Sequence, residues 1–186
     1  MHMNWLSFGL GALVGLIALV LLVTVIGWTL PRDHVAAVSA RIAAPPETVW
    51  ALIADPRALP TWRTDVKRVE ELPPTPNGPA WREYGGERPI SYATVLAEPP
   101  RRLVGRITDT NLPFGGGWEW RIDPDGDAAS RVTIVERGSV YNPVFRFVSR
   151  FVVGHTATME RTLRALGRKL GAEPAPQPVD AASLGA

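Results

Sequence analysis

Glu136 closes an alternating run, Arg131 to Arg137, in which Val132, Ile134 and Glu136 share one strand face and Thr133, Val135 and Arg137 the other. A carboxylate at the end of an apolar row can accept a hydrogen bond from a ligand or act as a general base. The same position suits a rim carboxylate paired with an arginine such as Arg106. Other chemistry-bearing types are poorly placed. Glu70 and Glu71 are adjacent and on a strand point to opposite faces, so they cannot work together. His155 has no sequence-local acid or nucleophile, and no Ser/His/Asp arrangement is evident, so no catalytic residue is assigned. The three histidines, His2, His34 and His155, lie far apart without metal-ligand spacing. Cysteine is absent, which removes disulfides, thiolate metal sites and a thiol nucleophile. No metal and no cofactor is expected.

Aromatic residues are the more telling set. Trp118, Trp120 and Ile122 share one strand face, which should point at the long C-terminal helix. Trp62, Tyr84, Tyr92 and Tyr141 carry an apolar body and a polar tip, suiting either a pocket wall or plain core. Trp50, beside Val49 and Ile53 on a short helix, reads as core. Gly115-Gly116-Gly117 lacks the Lys and Ser/Thr of a phosphate loop and reads as a flexible connection, of a kind that suits a cavity entrance.

The elements that must position these residues follow from pattern and punctuation. Val35 to Ile42 reads as a strand, Glu47 to Ile53 as a short helix, and Asp55-Pro56 as the cap of a second one reaching Trp62. Strands are predicted over Val66 to Leu72, Ala80 to Tyr84, Ile90 to Ala97, Arg102 to Thr108, Trp118 to Ile122 and Arg131 to Arg137. Pro143 to Leu170 reads as one long helix, and residues 172–186 as a disordered Pro/Ala tail. On a wheel of about 100° per residue, Arg146, Arg150, Arg161, Arg164 and Arg168 fall in one stripe. Val144, Val148, Phe151, His155, Met159, Leu166 and Leu170 fall opposite, so this face should close the cavity against the sheet. His155 should then be buried, either as a hydrogen-bonded core histidine or as a polar ligand contact, with Phe151 a cavity candidate. The arginine stripe should be exposed, either merely solvated or set against anionic lipid headgroups.

All 20 Lys+Arg and all 18 Asp+Glu lie between Arg32 and Asp180. The run from Trp5 to Leu30 has no charge, is long enough for the hydrocarbon core, and carries Trp5 and Trp28 near its ends. Residues 1–31 therefore read as a single transmembrane helix; a cleaved signal peptide fits less well, because a basic leader is missing and the apolar run is too long. Arg32 and Arg41 follow the span and Met1 to Asn4 has no basic residue, so the rest of the chain should face the cytoplasm. A net charge of +2 gives no reason to expect nucleic acid.

The order of strand, two short helices, an antiparallel run and a long helix is an α+β architecture. IAAPPETVWALIADPRALPTW, then AEPPRRLVGRI, WEWRIDPDG and SRVTIVERG before the last helix, resembles the START-like/Bet v 1-like (SRPBCC) superfamily, nearest its polyketide cyclase/dehydrase and lipid-transport branch. The resemblance implies a helix-grip fold over residues 32–171: a curved antiparallel sheet around the C-terminal helix. It also implies a cavity for a hydrophobic small molecule. A membrane-anchored, bacterial, non-catalytic binder of a lipid, quinone or isoprenoid is expected, with membrane lipids as a second partner. The alternatives are a cyclase or dehydratase, and a regulatory or assembly partner with a vestigial cavity.

Overall fold

The computed structural model describes residues 5–184. Its first element, α1 (Trp5–Thr29), is uniformly apolar, with exposed Leu, Val and Ile side chains along its length. Long and apolar enough to cross a membrane, it packs its last turn on the rest of the chain.

Eight antiparallel strands follow: β1 (Asp33–Ile42), β2 (Arg68–Thr75), β3 (Gly78–Tyr84), β4 (Ile90–Glu98), β5 (Arg102–Ile107), β6 (Phe114–Pro124), β7 (Ser130–Val140) and β8 (Gln177–Val179). The spatial order β2-β3-β4-β5-β6-β7-β1-β8 is a meander from β2 to β7, with β1 returning beside β7. The curved sheet and the helices on it form the α+β helix-grip fold. Between β1 and β2 lie α2 (Pro46–Ile53) and a 3-10 turn (Pro56–Thr61), where Asp55 Oδ1 accepts from the Arg57 N–H at 3.0 Å.

Two departures from the sequence reading bear on function. The expected long helix is broken. Asn142 Oδ1 caps α3 (Pro143–Val148), accepting from the Val144 N–H at 2.9 Å. A π-helical turn then runs over Ser149–Val153 and stops at Gly154, whose φ of 75° suits a residue without Cβ. The helix resumes as α4 (Ala157–Lys169). A single helical wheel cannot cross that break, which is why the arginine stripe fails at its start. The second departure is the tail: Gln177–Val179 pairs with Ala37, Val38 and Ser39 of β1, and Ala181–Leu184 forms a 3-10 turn. The exposed edge of β1 offers unpaired backbone groups, and this short segment takes them up.

The core lies between sheet and helices. Val38, Ile42, Val49, Ile122, Val132, Ile134, Met159, Leu163 and Leu166 are its most buried members, with Trp50 packed against them. On the helical side, α2 and α4 supply this core; among the described residues α3 and the π turn contribute nothing to it.

Candidate functional site

A cavity of about 480 Å³ opens between the sheet, the 3-10 turn and the α3–π segment. Its space comes from missing side chains. On the strand face shared with Trp118 and Glu136, where alternation would put bulk, Gly105 and Gly138 line the wall, and Gly117 adds its backbone. Gly115 to Gly117 is thus paired strand within β6, with Gly115 and Gly117 part of the wall, and not a flexible connection. The Trp side chains surround the cavity without filling it: Trp62, Trp81, Trp118 and Trp120 line it, together with Tyr92 and Phe114.

Two polar clusters interrupt the aromatic wall. At one, Glu136 Oε2 accepts from Trp118 Nε1–H at 2.6 Å and Oε1 lies 2.9 Å from His34 Nε2. Strand register explains this: Glu136 pairs with Trp118 on one side and Ala36 on the other, one strand repeat from His34. Gly138, opposite His34, lets the imidazole lie over the β7 backbone, where any Cβ would collide with the ring. Glu136 is therefore held by an indole and an imidazole; the expected pairing with Arg106 does not form. His155 stacks on His34, with ring centroids 3.9 Å apart. It is half-buried at the cavity wall rather than sealed in the core, because the break at Gly154 swings it toward β1. Burial, and next the His34 ring, hold its imidazole below the ordinary value of 6.5.

At the other cluster, Glu83 Oε1 accepts from Trp81 Nε1–H at 2.9 Å, and Oε2 lies 3.2 Å from Arg63 Nη1. Burial works against the Arg63 charge, but the Asp65 hydrogen bond and the Glu83 charge overcome it and raise its pKa. Tyr92 is stacked on Trp81, and burial, reinforced by Glu83, pushes its phenol well up. Trp62 is buried in the wall.

Of the residues singled out from sequence, Trp62, Tyr92, Trp118, Trp120, Glu136 and His155 lie together on this wall. Three do not. Tyr84 hydrogen-bonds Glu70 and stacks under Arg68, with the guanidinium carbon 3.6 Å from its ring centre, because alternation from Trp81 and Glu83 turns it outward. Tyr141 and Phe151 are exposed beside the cavity mouth, Phe151 because the π turn rotates it away from the sheet. Arg146 is not exposed at all. It is 8% accessible and donates to the carbonyls of Val140, Tyr141, Gly27 and Leu30. Arg150 and Arg161 are exposed, Arg164 pairs with Glu160 at 3.3 Å, and Arg168 with Glu173 at 3.1 Å. His34, Arg63, Trp81 and Glu83 were missed. Alternation from Ala36 and Val38 marks the His34 face, and Trp81 and Glu83 share a face two residues apart.

Residues 33–171 match the model of the family described as polyketide cyclase / dehydrase and lipid transport. The chain belongs to that family, within the START-like superfamily. No curated protein matches the sequence. Among solved structures it is similar to a START superfamily protein from Mycobacterium smegmatis, at 17% identity and a TM-score of 0.61, covering 74% of this chain and 97% of that one. A protein from Thermobifida fusca is similar at 22% identity and a TM-score of 0.59, covering 74% and 93%. Norcoclaurine synthase from Thalictrum flavum, in complex with dopamine and hydroxybenzaldehyde, is similar at 12% identity and a TM-score of 0.57, covering 74% and 86%. At these identities the likeness is one of fold.

Proposed function

We propose that this protein is a membrane-anchored, non-catalytic binder of a hydrophobic small molecule, of the lipid, quinone or isoprenoid class. The observation that carries this reading is the open cavity of about 480 Å³, walled by indoles and glycines and lying beside the end of α1. A volume of that size suits a drug-sized or prenyl-ring ligand. An apolar ligand resides mostly in the bilayer, so a cavity tethered there meets it at high local concentration. Trp62, Trp118, Trp120 and Tyr92 would contact the apolar body, while Glu136 and His155 would meet a polar head. In this reading α1 crosses the cell membrane once and the domain faces the cytoplasm. The test is binding of the apolar fluorophore N-phenyl-1-naphthylamine by the full chain in detergent, read by energy transfer from the cavity tryptophans. Saturable binding, displaced by a phospholipid, a quinone or an isoprenoid alcohol, is expected; absence of saturable binding overturns the reading.

The His34–Glu136 contact favours a second reading, an enzyme of the cyclase or dehydratase kind. With Nε2–H directed at the carboxylate, His34 Nδ1 is left as a free base at the cavity wall. Glu136→Gln separates the two: a carrier yields the same extracted compound from both proteins, whereas an enzyme accumulates an unconverted one in the variant.

A further inference from the structure

The segment from Pro143 to Gly154 forms a wall only one helix thick. Phe145, Val148, Ser149 and Gly154 line the cavity, while Phe151 and Val152 on the same segment are 61% and 72% exposed. Phe114 and Tyr141 add further exposed aromatic surface at the same rim, where the Tyr141 N–H donates to the Pro113 carbonyl at 2.9 Å. Clustered exposed aromatics of this kind mark an interaction surface.

What covers this surface is indicated by what it is fastened to. Arg146, in the middle of α3, donates to the carbonyls of Gly27 and Leu30 at 3.2 and 3.1 Å, satisfying backbone oxygens that end α1. Gly27 packs directly on the backbone of Pro143, at a point where any Cβ would run into that carbonyl. The exposed segment is thus bolted to the last turn of the apolar helix, at the level where that helix leaves the hydrocarbon. Its composition fits that depth: aromatic and aliphatic side chains, exposed Arg150, and no acidic residue between Tyr141 and Met159.

We propose that the Pro143–Gly154 segment is a second membrane-contacting surface, seated in the headgroup–acyl boundary, through which the cavity opens toward the bilayer. The proposal rests on the reading of α1 as a membrane span. It assigns Phe151 and Val152 to lipid and gives the break at Gly154 a use: the segment lies outside the core that α4 builds, so it can shift without disturbing that core.

The chain has no cysteine, so single reporters can be placed at will. Full chains carrying Phe151→Cys, Val152→Cys, Leu16→Cys or Asp127→Cys would be labelled with nitrobenzoxadiazole and reconstituted in phosphatidylcholine–phosphatidylglycerol vesicles. Some vesicles would carry lipids with a nitroxide near the headgroup, others near the bilayer centre. Asp127 is the aqueous reference, in the β6–β7 turn at the far end of the sheet. Residues 151 and 152 should be quenched roughly threefold or more above residue 127 by the shallow nitroxide, as for an interfacial helix. Residue 16 should respond to the deep one. If residue 16 is quenched and residues 151 and 152 behave as residue 127, the second surface is wrong and the anchor stands. If residue 16 is unquenched, both fail together.

Discussion

The imidazole of His155 stacks on that of His34 at 3.9 Å, and of the two rings it is His34 that reaches the Glu136 carboxylate, at 2.9 Å. Burial and the neighbouring ring hold His155 below 6.5, so its native state resists a proton that the unfolded chain accepts. The unfolded state then binds more protons as pH falls past 6.5, and stability declines from there until pH passes the lowered native value. Wild type should lose thermal stability between pH 7.5 and pH 5.5 by more than His155→Gln, measured by calorimetry in detergent. An equal loss in both would show that His155 does not carry the effect.

Arg146→Met should cost about 3 kcal/mol, since it strips four carbonyls of a charged donor inside the α1–α3 contact. Arg150→Met, altering an exposed side chain, should stay within about 0.5 kcal/mol. Urea unfolding in micelles distinguishes them, and equal effects would contradict the buried role given to Arg146.

The different fates of these two arginines show what was legible in the sequence. Periodicity within unbroken elements was readable: the shared face of Trp118, Trp120 and Ile122, and the row ending in Glu136, are strand alternation. START-like architecture was readable from the order of elements and the A-P-x-x-V-W and D-P…W segments. The π turn was not, because neither residue type nor hydrophobic period announces an extra residue in a helical turn. That one irregularity displaced Phe151 outward, half-exposed His155 and left Arg146 free to turn onto α1. The second polar cluster, Arg63 on Glu83, joins residues from a loop and a strand that only the fold brings together. The glycines of the cavity wall were visible, but their use as empty volume depends on which strand face each occupies.

The cytoplasmic orientation proposed for the domain rests on Arg32 and Arg41 just after the apolar helix, with Arg150 exposed. A reporter fused after Ala186 should be active only if it is of the cytoplasmic type. Activity of a periplasmic-only reporter would reverse the assignment.

Gly138→Ala should separate the polar cluster from the cavity volume. The new Cβ collides with the His34 ring, so the His34–Glu136 contact must open while the space near Trp120 remains. Binding of an apolar ligand without a polar head should persist within about threefold, whereas a ligand bearing a carbonyl or hydroxyl should weaken roughly tenfold, the equivalent of one lost hydrogen bond. Equal weakening of both ligands in a titration would place the head elsewhere.

The central claim is that the glycine-lined space holds an apolar molecule. Gly105 is the position to fill, because a Cβ there meets Trp81 at an ordinary 3.5 Å and anything longer must enter the cavity. Native mass spectrometry of the full chain, released from detergent and compared with Gly105→Leu, measures occupancy directly. Wild type should carry a discrete apolar adduct that extraction recovers, and Gly105→Leu, folded to the same extent by circular dichroism, should lose it. A wild-type chain that is repeatedly found bare, or an adduct equally retained by Gly105→Leu, would contradict the account.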